Sequence, residues 1–133
     1  MTGREVILDT NALLRFITGD NIEKCQKVSD LIDKNDCIVP IEVIAEVVYN
    51  LEKFYMHPRY LIADEIKDFI AIKENLVVEE NVVRNGCNAF ASTNLDFIDC
   101  LLIAYTKVKG NPVFSFDNDL NKKLEHNAFN HKI

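Results

Sequence analysis

The sequence predicts an α/β fold in which helices cover both faces of a parallel sheet. Four short apolar runs, Val6–Leu8, Cys37–Val39, Leu76–Val78 and Pro112–Phe116, alternate with longer stretches of helical period. Strands separated by helices need crossover connections, and those favour parallel pairing. Two of the runs also stop dead at a carboxylate, Asp9 after the first and Asp117 after the last. In an open parallel sheet the carboxyl ends of the strands line the ligand crevice, so this is where acids with a chemical task belong.

Taken in order, Glu5 opens the first strand and Asp9 closes it. Asp9-Thr10-Asn11 also suits the N-cap of a short following helix. From Ile22 to Lys34 apolar or small residues fall at 22, 25, 28, 29, 31 and 32, a helical period with charges opposite. The second strand ends at Pro40, and Ile41 to Met56 is helical again, with Ile44, Ala45, Val48, Leu51 and Tyr55 in one stripe. Pro58 starts a further helix to about Ile72, near the first turn where its missing N–H costs little. The third strand lies between Asn75 and the Glu79-Glu80-Asn81 cluster. Helices follow over Val82–Ala91 and Leu95–Val108, the latter with Asn94 as N-cap and Gly110 as stop. Residues Ala128–Ile133 suit an edge strand or a frayed end equally, so the sheet is expected to have four or five strands.

A chain of 133 residues, 48% hydrophobic and without linker or repeat, is expected to form one domain over 1–133. Its start resembles neither a secretory signal nor a transit peptide, and no apolar stretch approaches the roughly 20 residues of a membrane span. Cys25, Cys37, Cys87 and Cys100 are too scattered for a zinc site, and read as packed, reduced thiols of a cytoplasmic protein. A net charge of −6 runs against a nucleic-acid partner, whose phosphates call for basic surface. The objection weakens if several acids converge on divalent cations, which invert the local field.

The candidate chemistry is such a convergence. Asp99 falls just before the apolar run Cys100–Ala104, and Asp96 lies three residues earlier on nearly the same helical face. Two carboxylates so placed repel each other unless a cation lies near, although a helix N-terminus lessens the cost. Glu46 interrupts the apolar stretch Ile44–Val48. Each acid singly has an ordinary alternative as a turn former or helix cap. Together Asp9, Glu46, Asp99 and Asp117 form a set of hard oxygen donors suited to Mg²⁺ or Mn²⁺.

These residues also carry a resemblance. Leu8–Asn11, Ile44–Val48, Asp96–Ala104 and Phe114–Asp117 are similar, in order and spacing, to the four acidic motifs of PIN domains. The likeness is greatest to the VapC-type toxins of prokaryotic toxin and antitoxin pairs, and runs from residue 6 to about residue 125. It implies a three-layer α/β/α PIN-like fold around a central parallel sheet, and a divalent-metal-dependent endoribonuclease. By motif, Asp9, Glu46, Asp99 and Asp117 are the four site acids, and Asp96 is an assisting metal ligand. Asn11 and Ser115 are supporting polar residues, and Asp119 is either an outer acid or a turn residue. Expected partners are RNA, a cognate antitoxin and a second copy of the chain, with no membrane. Arg15, Lys53 and Arg59 are the cations nearest the first two motifs in sequence, and Arg15 is the candidate RNA contact. Phe16, Ile44, Val48, Leu51, Phe54 and Tyr55 read first as core, and by the resemblance also as partner surface.

Rival readings fit less well. A haloacid-dehalogenase-type phosphohydrolase presents D-x-D where this chain has Asn11, and a receiver domain needs a Lys after a late strand. A non-catalytic PIN-like interaction module with a degenerate site is the alternative from another class.

Overall fold

The computed structural model describes residues 4–72 and 74–125. It divides into two compact units, Met1–Glu79 and Glu80–Ile133.

In the first unit the chain runs β1 (Glu5–Ile7), α1 (Thr10–Thr18), α2 (Ile22–Lys34), β2 (Asp36–Ile38), α3 (Ile41–Lys53), α4 (Arg59–Ile70) and β3 (Leu76–Val77). The three strands pair in parallel in the order β1-β2-β3, with Val6 opposite Cys37 and Cys37 opposite Leu76. Leu8 N–H donates to the Ile38 carbonyl and Val39 N–H to that of Val77, each at 3.0 Å, so pairing extends past the strand ends. The α2–β2 joint is pinned by side-chain amides. Asn75 Nδ2 donates to the Ile32 carbonyl at 3.2 Å and also to that of Asn35, whose own Oδ1 accepts from Arg4 N–H.

Caps set the helix ends as the sequence indicates. Asn21 Oδ1 accepts from Lys24 N–H at 3.0 Å and starts α2, while Gly19, at φ 63°, ends α1 in the left-handed region that a side chain would strain. Burial follows the helical stripes. Leu13, Cys37, Ile44, Val47, Leu51 and Ile66 are all wholly inaccessible, and α1 packs against both α2 and α3.

The second unit holds α5 (Glu80–Ser92), α6 (Phe97–Lys109) and α7 (Asn118–Glu125). α5 and α6 form a close hairpin, with Phe90 and Phe97 meeting edge-to-face at 5.6 Å between ring centroids. Gly86 allows the approach, since a Cβ built there would sit 2.9 Å from Leu101 Cδ2. Gly86→Val is therefore expected to destabilise the protein by about 1–3 kcal/mol, read by urea melting, because its methyls meet Leu101 in a filled seam. Leu120 and Leu124 of α7 cluster with Ile103 of α6.

Several expectations shift. The helix expected over Leu95–Val108 runs from Phe97 to Lys109, with Asp96 rather than Asn94 at the N-cap position. The stretch Pro112–Phe116 lies outside the three-stranded sheet, although its exposure alternates as in a strand. Thr106 Oγ1 donates to Asn111 O just before it, and Asn121 Nδ2 to Ser115 O within it. Helix α7 was not anticipated. None of the four cysteines forms a disulfide, and three are buried. Residues 128–133, left open as strand or frayed end, lie outside the described residues.

Candidate active site

The first unit places two of the expected acids. Asp9 leaves β1 and becomes the N-cap of α1, its Oδ1 accepting from Ala12 N–H at 2.8 Å. The capping role and the chemical one are compatible, because the cap bond uses one carboxylate oxygen and the group stays exposed. Asn11 lies exposed in the first turn of α1. Glu46 sits in the second turn of α3 and is exposed, although Ile44, Val47 and Val48 around it are buried. Its interruption of an apolar run is thus the polar face of an amphipathic helix, open to a ligand.

The second unit brings three acids to bear on one another. Asp96 occupies the N-cap position of α6, yet its side chain makes no capping bond. Asp99 follows in the first turn, half-buried. Asp117 caps α7, its Oδ1 accepting from Asp119 N–H at 2.9 Å and Leu120 N–H at 3.1 Å. Ser115 holds this corner, since its Oγ accepts from Asp117 N–H at 2.9 Å. The Asp99 carboxyl is pushed above the ordinary range by burial first, then by the negative charges of Asp117 and Asp96. Asp119 serves the turn through its backbone, and its side chain is exposed.

Among the described residues no three His, Cys, Asp or Glu side chains come close enough together to hold a metal ion as they stand. The donor chemistry nonetheless suits a hard divalent cation. The motif acids offer carboxylate oxygens only, and the mutual repulsion at Asp99 is the strain that a cation relieves.

Two of the expected cations, Arg15 and Arg59, are already engaged. Arg15 Nη1 lies 2.7 Å from Asp20 Oδ2, and Tyr55 O–H donates to the same oxygen at 2.9 Å. Arg15 and then Tyr55 hold the Asp20 carboxyl below its usual range, and Asp20 in turn raises the pKa of both partners. Arg59 pairs with Glu52 at 3.4 Å, and His57 Nδ1 lies 2.7 Å from Glu65 Oε1. Of the apolar stripe, Ile44, Val48 and Leu51 are core. Phe54 is 70% exposed, as are Tyr49, Met56 and Tyr60 in large part, so an aromatic surface lies around the α3–α4 turn. Sequence reading missed Asp20, whose role depends on a tyrosine 35 residues away.

Comparison with known proteins matches this arrangement to one family. The PIN domain profile matches residues 6–124, which includes all four motif acids and spans both units. The chain belongs to the PIN domain family, whose fold is a three-layer α/β/α arrangement around a parallel sheet. It is also similar to the VapC ribonuclease of Aquifex aeolicus (strain VF5), at 28% identity over 109 residues, covering 78% of this chain and 80% of that protein. No solved structure matches the chain significantly.

Proposed function

We propose that the protein is a divalent-metal-dependent endoribonuclease of the VapC type, the toxin of a type II toxin-antitoxin pair. The observation that carries this reading is the PIN match over residues 6–124, which takes in every acidic motif in order. Similarity to a VapC ribonuclease over most of both chains supports the activity and the substrate class.

In this reading the domain is 1–133, and Asp9, Glu46, Asp99 and Asp117 form one site for Mg²⁺ or Mn²⁺. Asp9 and Asp99 would be the principal ligands, Asp117 and Glu46 would complete the shell through waters or hold a second ion, and Asp96 would assist. The bound ion supplies an activated water at neutral pH and offsets charge on the phosphoryl oxygens. The carboxylates would hold the ion beside the phosphodiester, with Asp9 kept in place by Ala12 N–H and Asp117 by the N–H groups of Asp119 and Leu120. Ser115 and Asn11 are positioning residues, the former through its bond to Asp117 N–H. No His, Lys or Tyr is needed as general base, and His57, held by Glu65, is not assigned a role in the reaction.

A cytoplasmic location, a cognate antitoxin and a homodimer complete the proposal. The exposed aromatic surface at Tyr49, Phe54, Met56 and Tyr60 supports a protein partner. Among the described residues no helix is long and apolar enough to cross a membrane.

The test is cleavage of RNA by purified protein beside Asp9→Asn. Loss of cutting in the variant supports the enzyme, and a wild type inert on every RNA supports the interaction module instead. Arg15→Ala examines the proposed RNA contact. A shallower salt dependence of RNA binding is expected if Arg15 meets phosphate. A lowered melting temperature with an unchanged salt slope would confine Arg15 to tying Asp20 and Tyr55.

A further inference from the structure

The net charge of −6 is unevenly placed along the chain. Within 80–133 the six cations Arg84, Lys107, Lys109, Lys122, Lys123 and Lys132 equal the six acids Glu80, Asp96, Asp99, Asp117, Asp119 and Glu125, so the whole excess lies in 1–79. Inside the neutral unit the charges are segregated again. The acids Asp96 and Asp99 stand at the start of α6, whereas Lys107 and Lys109 occupy its last turn.

A groove of about 350 Å³ opens among α5, α6 and α7. Its polar wall is formed by Asn85, Asn88, Ser92 and Thr93 of the α5 side, facing Lys107 of α6 and Lys123 of α7. No carboxylate lines it. Lysines in a last helical turn ordinarily only offset the helix dipole. These two differ in lining one cavity from two different helices. The hydroxyl of Ser92 donates to the Asn88 carbonyl at 2.9 Å, which spends its hydrogen and turns Oγ into an acceptor. Asn85 Nδ2 likewise donates to Asn81 O at 2.8 Å.

We infer that this groove binds the sugar-phosphate backbone of the RNA strand at a position removed from the cleaved bond. Ammonium groups match the phosphate oxygens, and the acceptors of the α5 wall match ribose 2′-hydroxyls, which only RNA supplies. Asp99 and Lys107 lie eight residues apart on α6, a separation of about 12 Å along its axis. A strand held in the groove therefore reaches the acids within a few nucleotides. The groove answers the difficulty of an acidic ribonuclease, since the basic contact is local to a stretch whose own charges balance. The inference rests on the ribonuclease reading and adds to it where the substrate is gripped.

The experiment measures equilibrium binding of a labelled single-stranded RNA in EDTA, with Asp99→Asn as the common background so that the RNA stays intact. Into it are placed Lys107→Gln with Lys123→Gln, or, as a charge-matched control, Lys24→Gln with Lys27→Gln on exposed positions of α2. The groove pair is expected to weaken binding about tenfold and to make the slope of log K against log salt shallower by about 1.4, with the control unchanged. All four lysines are exposed, and melting temperatures read beside binding separate a lost contact from a lost fold. Equal losses in both pairs would reduce the effect to net charge and overturn the groove. An unmoved groove pair, with the wild type still cutting RNA, overturns the groove alone. A wild type that neither binds nor cuts RNA overturns the ribonuclease reading and the groove with it.

Discussion

Asp99→Asn is expected to abolish RNA cleavage while raising the melting temperature of the metal-free protein. The loss of activity is expected because Asp99 is a principal ligand of the proposed metal site. Outer-shell partners alone are worth about 10–100-fold, so a ligand should cost at least about 100-fold in rate. The gain in stability follows from the sign of the Asp99 shift. Burial and the charges of Asp117 and Asp96 raise this carboxyl in the folded protein, so the folded state holds its proton more tightly than the unfolded chain does. The resulting stabilisation is present below the ordinary carboxyl range. It is lost as pH rises through the raised folded value, and at neutral pH the ionised group is a net burden. An amide carries no such burden. The variant should therefore melt above wild type at pH 7 in EDTA, with the gap closing as pH falls through the Asp99 titration. Equal melting at every pH would show that Asp99 is not under electrostatic strain. This is the familiar trade in which a functional site holds charges that stability alone would discard.

Manganese is expected to raise the melting temperature of the wild type and to leave both Asp9→Asn and Asp99→Asn little changed. A ligand at a hundredfold its Kd stabilises by about 2.7 kcal/mol. For a chain of this size that corresponds to a shift on the order of 5–15 °C. Asp9 belongs to the first unit and Asp99 to the second, so loss of the shift in either variant alone ties the two acids to one ion. A shift that survives Asp9→Asn but not Asp99→Asn would confine the metal to the second unit, with its three mutually repelling carboxylates, and would break the four-acid proposal.

Legibility in the sequence followed the strength of local signals. Helix α2 was placed at Ile22–Lys34, as observed, because its apolar period is clean. The three paired strands were also recognisable, since β-branched runs bounded by Pro, Asn or Asp leave few alternatives. Helix α7 escaped because only Leu120 and Leu124 of its eight residues are buried, too sparse a pattern to register as a period. The segment Pro112–Phe116 reads as a strand by composition and its exposure alternates accordingly, while it is not among the three strands paired in the first unit.

The site divides in the same way. The repulsion of Asp96 and Asp99 was readable from a three-residue spacing on one helix face. The contribution of Asp117 to that repulsion was not, because it depends on how α7 packs against α6. Arg15 was chosen as an RNA contact from its nearness to the first motif, yet it is bound to Asp20, whose carboxylate also accepts from the distant Tyr55. Lys107 and Lys123, sixteen residues apart, show no pattern in the sequence and meet only through the folding of α6 and α7.

The most direct test of the central claim is incubation of a mixed pool of structured RNA with the purified protein and Mg²⁺ or Mn²⁺, beside EDTA and the Asp99→Asn variant. Cleavage confined to the wild type with metal is the expected result. Cutting that persists in EDTA or in the variant would contradict the acidic site. An inert wild type that also binds no Mn²⁺ by calorimetry would make the chain a PIN-domain interaction module.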